Sequence, residues 1–435
     1  MAYQSERLMS IIVTKSSPEL VGPATTPATP RIGHISLSSF DKVLAFQPMT
    51  SVYIFDHAIH KPAETVRRAL SQALVHYFPI AGRAAIGADG ELRIACSGEG
   101  VVFVAASANR SLEDVKLFDP PFAPLLKELT VGYGPEGCRA SDPLVLIQVT
   151  EFSCGGFVVG VTRNHVVADG KGIAQFMQAV GELARGLPQP SMLPVSCGDD
   201  SLPELPPVVV AIEKMMVELE PQSFVNLDIT VPSRLINRVK AEFVSCSDEP
   251  CSVYEAAVAV LWQCRTRVVM SDPGAPATLL FAANVRKVVG AKYGYYGNCI
   301  TSQVAAPTSG EVANADIKDV VKLIKRAKRR IPEQFMAVDD GEGGGHGMEG
   351  VSMEQLDVLL GYNALFVTSW RNLGHEAVDF GGGRPARVMC RLERVAVPYC
   401  VACLPCKNKD GANLSTLCVR EEHVDALLGE LAKFT

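Results

Sequence analysis

The chain has 435 residues, of which 48% are apolar and 20% charged; this excludes a mostly disordered chain and exceeds one ordinary core, so two domains of roughly 200 residues are expected. Its 41 basic and 47 acidic residues leave a formal charge of −6, which gives no ground for a nucleic-acid partner. No stretch approaches the roughly 20 apolar residues that cross a bilayer. Glu6, Lys15 and Glu19 interrupt the start of the chain, so no signal-peptide core is seen and a cytoplasmic location is expected.

In chain order, residues 20 to 34 carry Pro23, Pro27 and Pro30 and read as an extended arm. Val52 to Phe55 reads as a strand. Ala63 to Tyr77 places Val66, Ala69, Leu70, Ala73 and Leu74 on one helical face, and Phe78-Pro79 stops it. Strands are expected over Glu91 to Cys96, Val101 to Ala105, Leu144 to Phe152 and Gly156 to Arg163, the last two joined by a hairpin at Ser153-Cys154-Gly155. A helix over Gly172 to Arg185 ends at the capping residue Gly186. The proline-rich, aperiodic stretch that follows reads as an inter-domain connection, giving domains 1–186 and 216–435 with 187–215 as linker. In the second half, Ser252 and Glu255 form a capping box for a helix through Val269. A strand over Leu279 to Val285, a basic helix over Asp316 to Ile331, and strands over Phe366 to Trp370, Ala386 to Cys390 and Val395 to Cys403 follow, and Glu421 to Lys433 closes the chain as a helix. Asp339 to Gly350 is too glycine-rich for a fixed element and reads as a surface loop.

The chemistry points to Asn164-His165-Val166-Val167-Ala168-Asp169-Gly170. A histidine at a strand exit is suited to removing a hydroxyl or amine proton near neutral pH. Asp169 shares a face with His165 only if the segment is helical; in a strand-to-loop segment it braces the loop from behind. By itself His-x-x-x-Asp recurs by chance and carries little.

The surrounding segments carry more. His165-Val-Val-Ala-Asp169-Gly170 resembles the signature of the plant BAHD acyl-CoA-dependent acyltransferases. Leu37-Ser38-Ser39-Phe40-Asp41, Tyr77-Phe78-Pro79-Ile80-Ala81-Gly82-Arg83, Cys154-Gly155-Gly156-Phe157, Asn284-Val285-Arg286, Gly294-Tyr295-Tyr296-Gly297-Asn298 and Asp379-Phe380-Gly381-Gly382-Gly383 are similar to that family's segments in order. The wording is closest to the branch containing benzyl-alcohol benzoyltransferases and taxane acyltransferases. The resemblance implies an α/β (mixed α+β) fold of two chloramphenicol-acetyltransferase-like domains with an active-site channel between them. It also implies that His165 is the general base, and that Asp169 is structural and salt-bridged away from the reacting centre. Asp379 is implied to be structural too, paired with an arginine such as Arg286. The family's tryptophan is Gly382 here, which implies looser local packing.

Acyl transfer to a hydroxyl follows, with acyl-CoA as co-substrate, an aromatic or acetyl donor, a small-molecule acceptor and no bound cofactor. Transfer to an amine and a catalytically silent ligand-binding paralogue are the alternatives. Thr368, Ser369 and Trp370 are the candidates on the CoA side, for a donor to the oxyanion. The family implies a monomer. Among other signals, the basic helix suits CoA phosphates but is more simply a solvated face. Gly345-x-Gly347-x-x-Gly350 follows acidic loop residues rather than a strand, which argues against a dinucleotide site. Cys400, Cys403 and Cys406 lie in an apolar strand-like run and read as buried thiols, so no metal is expected.

Overall fold

The computed structural model describes residues 11–24, 33–116, 123–134, 137–196, 202–336, 359–391 and 395–434. The glycine-rich stretch 339–350 and its Gly-x-Gly-x-x-Gly match lie outside the described residues.

The chain forms two compact units that are not continuous in sequence. The first comprises Met1–Leu202, Gly290–Cys299 and Asn372–Glu393; the second comprises Pro203–Val289, Ile300–Arg371 and Arg394–Thr435. The first unit's long opening stretch ends at Leu202, and two later segments, Gly290–Cys299 and Asn372–Glu393, also belong to it. The physical reason is pairing. Arg387–Arg391 adds an antiparallel strand to Pro48–Phe55, and the 290–299 segment bridges Val195 through Tyr295 and packs Tyr296 on Tyr77 with ring centroids 5.1 Å apart.

The main sheet of the first unit runs Val13–Lys15, Val101–Ala108, Val145–Phe152, Phe157–Asn164, Pro48–Phe55, Arg387–Arg391, with Glu19–Val21 also paired to Val101–Ala108. Its central strands are buried on both faces, so they read in the sequence as near-continuous apolar runs. The two-residue period still sorts the side chains: Tyr53 and Phe55 enter one core cluster, and Val52 and Ile54 enter the other. The first cluster is completed by the helices Pro62–His76 and Gly170–Ala184, through Val66, Leu70, Leu74, Ile173, Phe176 and Val180. The hairpin expected at residues 153–155 turns at Gly155, with φ 83°. Gly186, with φ 88°, ends the second helix as expected.

The second unit holds a six-stranded sheet, ordered Leu227–Val231, Ala412–Leu417, Tyr399–Cys403, Leu365–Ser369, Leu279–Asn284, Ile300–Ala305. The capping box at Ser252 is present, with both reciprocal bonds, and opens the helix Val253–Val269. Several helices escape the sequence reading, among them Ser233–Val244 and Pro207–Glu218. Pro207–Glu218 begins inside the expected linker and runs past its end, and Pro206 and Pro207 look like linker composition but occupy its cap and first turn, the positions a helix tolerates. The basic helix spans Ile317–Arg329. Lys325 and Lys328 pair with Glu255, Lys322 with Asp319, and Arg329 with Glu249, so carboxylates of the same unit meet these four cations.

Candidate active site

His165 sits just beyond the strand Phe157–Asn164 and is 7% exposed. Its backbone N–H donates to the Gln47 carbonyl at 2.9 Å. Asn164 Oδ1 accepts from the N–H groups of Phe46 and Val166, at 2.9 and 3.1 Å, which fixes the turn on both sides of the histidine.

The orientation of the imidazole comes from Asn298. His165 Nδ1 lies 2.9 Å from Asn298 Oδ1. The amide nitrogen of Asn298 is committed elsewhere, donating to Asp41 Oδ1 at 2.9 Å and to the His165 carbonyl at 2.8 Å. With both amide protons placed on acceptors, the atom facing Nδ1 must be the oxygen. Nδ1 therefore carries the proton and donates it, which leaves Nε2 as the basic nitrogen. Burial first, and the Arg163 charge second, push the His165 pKa down to about 4, against the opposing pull of Asp169. The imidazole is neutral at neutral pH, as a base must be.

Asp41 is fully buried, and everything around its carboxylate donates: Asn298 N and Nδ2, Ser38 N and Ser38 Oγ, the last at 2.6 Å. Burial raises its pKa, and the Ser38 and Asn298 bonds act against that rise. Asp169 is also buried but does not share a helical face with His165. It caps the N-terminus of Gly170–Ala184, accepting from Gly172 N at 2.9 Å, and its other oxygen accepts from Cys299 N at 3.1 Å. Two buried carboxylates thus hold the consecutive amides of Asn298 and Cys299. Neither Asp41 nor Asn298 received a role from the sequence, although both lie in segments noted there.

Thr368 and Ser369 belong to the strand Leu365–Ser369 of the second unit and are half-buried; the Trp370 N–H is taken by the Ala402 carbonyl at 2.9 Å. Cys400, Cys403 and Cys406 are buried, and no cluster suited to a metal ion occurs among the described residues.

This arrangement of a strand-exit histidine, an orienting asparagine and two bracing carboxylates sits in a chain whose residues 11–427 match the model of the Transferase family. It is 46% identical to acyl transferase 15 of Oryza sativa subsp. japonica, over 98% of this chain and 99% of that one. It is 32% identical to benzyl alcohol O-benzoyltransferase of Nicotiana tabacum, over 94% and 90%. The fold matches the crystal structure of vinorine synthase with a TM-score of 0.71 at 20% identity, covering 98% of both chains. The chain belongs to the BAHD acyltransferases. It is an acyl-CoA-dependent acyltransferase with the two-domain α/β fold of that family.

In this acyltransferase the Asp379 segment is built differently from expectation. Asp379 Oδ1 accepts from the N–H groups of Gly381 and Gly383, at 2.7 and 3.0 Å, and its cationic neighbour is Arg185 at 3.8 Å, taking the place expected for Arg286. Arg185 is the C-cap of the helix Gly170–Ala184 and also donates to the Asp379 carbonyl, so the loop is tied to that helix. Arg286 bonds to Asn284 Oδ1 through its own backbone N–H, at 3.1 Å.

The expected packing defect at Gly382 is corrected too. A Cβ added there would lie 2.1 Å from His57 Cδ2. The imidazole of His57 stands edge-on to Phe55 and Phe157 and fills the ground beside the glycine. Restoring tryptophan, which the sequence suggests should help, is therefore expected to lower unfolding stability by about 1–3 kcal/mol through overpacking. His57→Ala should recover most of that loss in the Gly382→Trp background, and urea unfolding of the four-member cycle measures the coupling. Additive losses would mean that His57 and Gly382 are independent.

Proposed function

We propose that the enzyme transfers an aromatic or acetyl group from an acyl-CoA thioester to the hydroxyl of a small acceptor, with His165 as general base. The observation that carries this reading is the 2.9 Å bond from His165 Nδ1 to an asparagine oxygen whose amide is already committed, because it leaves Nε2 unprotonated. Neutral Nε2 takes the acceptor proton as its oxygen attacks the thioester carbonyl. The tetrahedral oxyanion needs a donor; with the Trp370 N–H engaged, a single hydroxyl, that of Thr368 or of Ser369, is the group we assign to it. Collapse expels the CoA thiolate. A buried imidazolium is more acidic than one in water, so it returns the proton to the thiolate readily.

Asp169 and Asp379 act structurally in this proposal: the first braces the His165 turn and the Cys299 amide, and the second ties its loop to Arg185. The name of the tobacco relative, which denotes a benzoyl donor and an alcohol acceptor, supports an aromatic donor and oxygen as nucleophile. A monomer acting in the cytoplasm completes the proposal and rests on the sequence alone.

A matrix of acyl-CoA donors against alcohol and amine acceptors, read as acceptor-dependent thiol release, tests the reading. Release with alcohols that is lost in His165→Ala is the expected result. Release confined to amines would overturn the choice of oxygen. Release that persists in the variant would overturn the base.

A further inference from the structure

Arg163 stands two residues before His165 and, against the habit of its residue type, is only 1% exposed. Its Nε–H donates to the Ala168 carbonyl at 3.0 Å, which closes the turn that holds His165. The guanidinium charge pulls the pKa values of three buried side chains downward, His165, Tyr53 and His375. Tyr53 Oη and His375 Nδ1 are bonded to each other at 2.8 Å, so a fixed pair stands near the cation. A buried cation costs several kcal/mol in desolvation, and a purely architectural clasp would need no charge.

We propose that Arg163 is a positioning residue for acyl transfer: its buried, charged side chain clasps the turn from Arg163 to Ala168 that carries His165. This rests on the reading of His165 as base. Among the described residues, the charged groups that act on His165 are Arg163 and Asp169, of opposite sign, with the Asp41 carboxylate behind the neutral Asn298. Asp169 and Lys171 join Arg163 around His375. Burial alone disfavours imidazolium, but Asp169 works the other way. Without Arg163 its attraction stands unopposed, and protonation of His165 becomes easier. The acidic limb of the kcat/KM profile then moves to higher pH.

The variants Arg163→Met and Arg163→Lys separate clasp from charge. The His165 imidazole is titrated by NMR, with His165→Gln identifying its signal, beside the pH profile for whichever donor–acceptor pair releases thiol fastest. In the Met variant the imidazole titration should rise by about one pH unit or more. The acidic limb should follow it, and the alkaline plateau of kcat should fall ~10-fold as the turn loosens. The Lys variant keeps the charge, so its titration should stay near wild type while the plateau falls. If the Met variant does not fold, Arg163→Gln, which is neutral but still able to donate to Ala168, should show the same titration shift. A folded neutral variant whose His165 titrates as in wild type would overturn the proposal. If the titration moves while the kcat/KM profile does not, Arg163 keeps its role and the reading of His165 as base fails.

Discussion

His165→Ala is expected to lower kcat for acyl transfer by about 10³-fold, the range of a positioned general base, and to cost about 1–3 kcal/mol of unfolding stability, because the side chain is buried and Asn298 Oδ1 loses its donor. On the proposed role of His165, Asn298→Leu should cost about 10²-fold in kcat with little change in KM, since the amide orients the imidazole. The two losses arise differently. Alanine removes the proton acceptor. Leucine leaves it in place but removes the oxygen that selects its tautomer and holds its plane, so a fraction of molecules presents Nε2 protonated. Leucine also strips Asp41 of the Nδ2 donor and leaves a buried carboxylate under-satisfied, at about 1–3 kcal/mol of stability. Steady-state kinetics together with urea unfolding check both variants. An Asn298→Leu enzyme with wild-type kcat would show that the imidazole is oriented by something else.

The sequence made His165 easy to find and its partners hard to find, for a physical reason. A histidine at the end of an apolar strand run, followed by glycines at 170 and 172, is a local pattern. The contacts that orient it are not local. Asn298 lies 133 positions away, and Asp41 lies 257 positions from Asn298. Their segments were visible as resemblances, yet no spacing rule brings three such distant stretches together. Asp169 shows the limit of period reasoning from the other side. A separation of four suggests a shared helical face, but the helix begins only at Gly170, so Asp169 is its cap and turns toward Gly172 and Cys299. At Gly382 the sequence showed a missing indole but not the imidazole from position 57 that occupies the ground, because compensation across more than 300 positions leaves no local mark. The strands of the first sheet were legible because burial on both faces leaves continuous apolar runs. The short edge strands Val13–Lys15 and Glu19–Val21 were not, since their side chains are mostly exposed and carry no periodic signal.

The same reasoning makes Gly172→Ala a larger lesion than a helical glycine usually allows. In a helix interior alanine is favoured over glycine by up to about 1 kcal/mol, and Gly429, with nothing within 4 Å of an added Cβ, should show that gain. At Gly172 the added Cβ would stand 1.8 Å from the Tyr296 carbonyl oxygen and 3.0 Å from Ala168 Cβ. The first of these is backbone, which cannot rotate aside. The helix Gly170–Ala184 and the Gly290–Cys299 segment must separate, and Gln175, which donates to the Gly294 carbonyl at 2.9 Å, is pulled with them. Overpacking of this kind costs about 3 kcal/mol, so Gly172→Ala and Gly429→Ala should move the urea midpoint in opposite directions. Activity should suffer beyond the loss of folded protein. Asn298 follows Tyr296 by two residues, and a shift of the segment by an ångström would lengthen its 2.9 Å bond to His165 past useful range. In conditions where Gly172→Ala is fully folded, its kcat should still fall by about 10-fold or more, an effect Gly429→Ala should not share. Wild-type kcat in folded Gly172→Ala would mean that the 290–299 segment can move without carrying Asn298 away from the base.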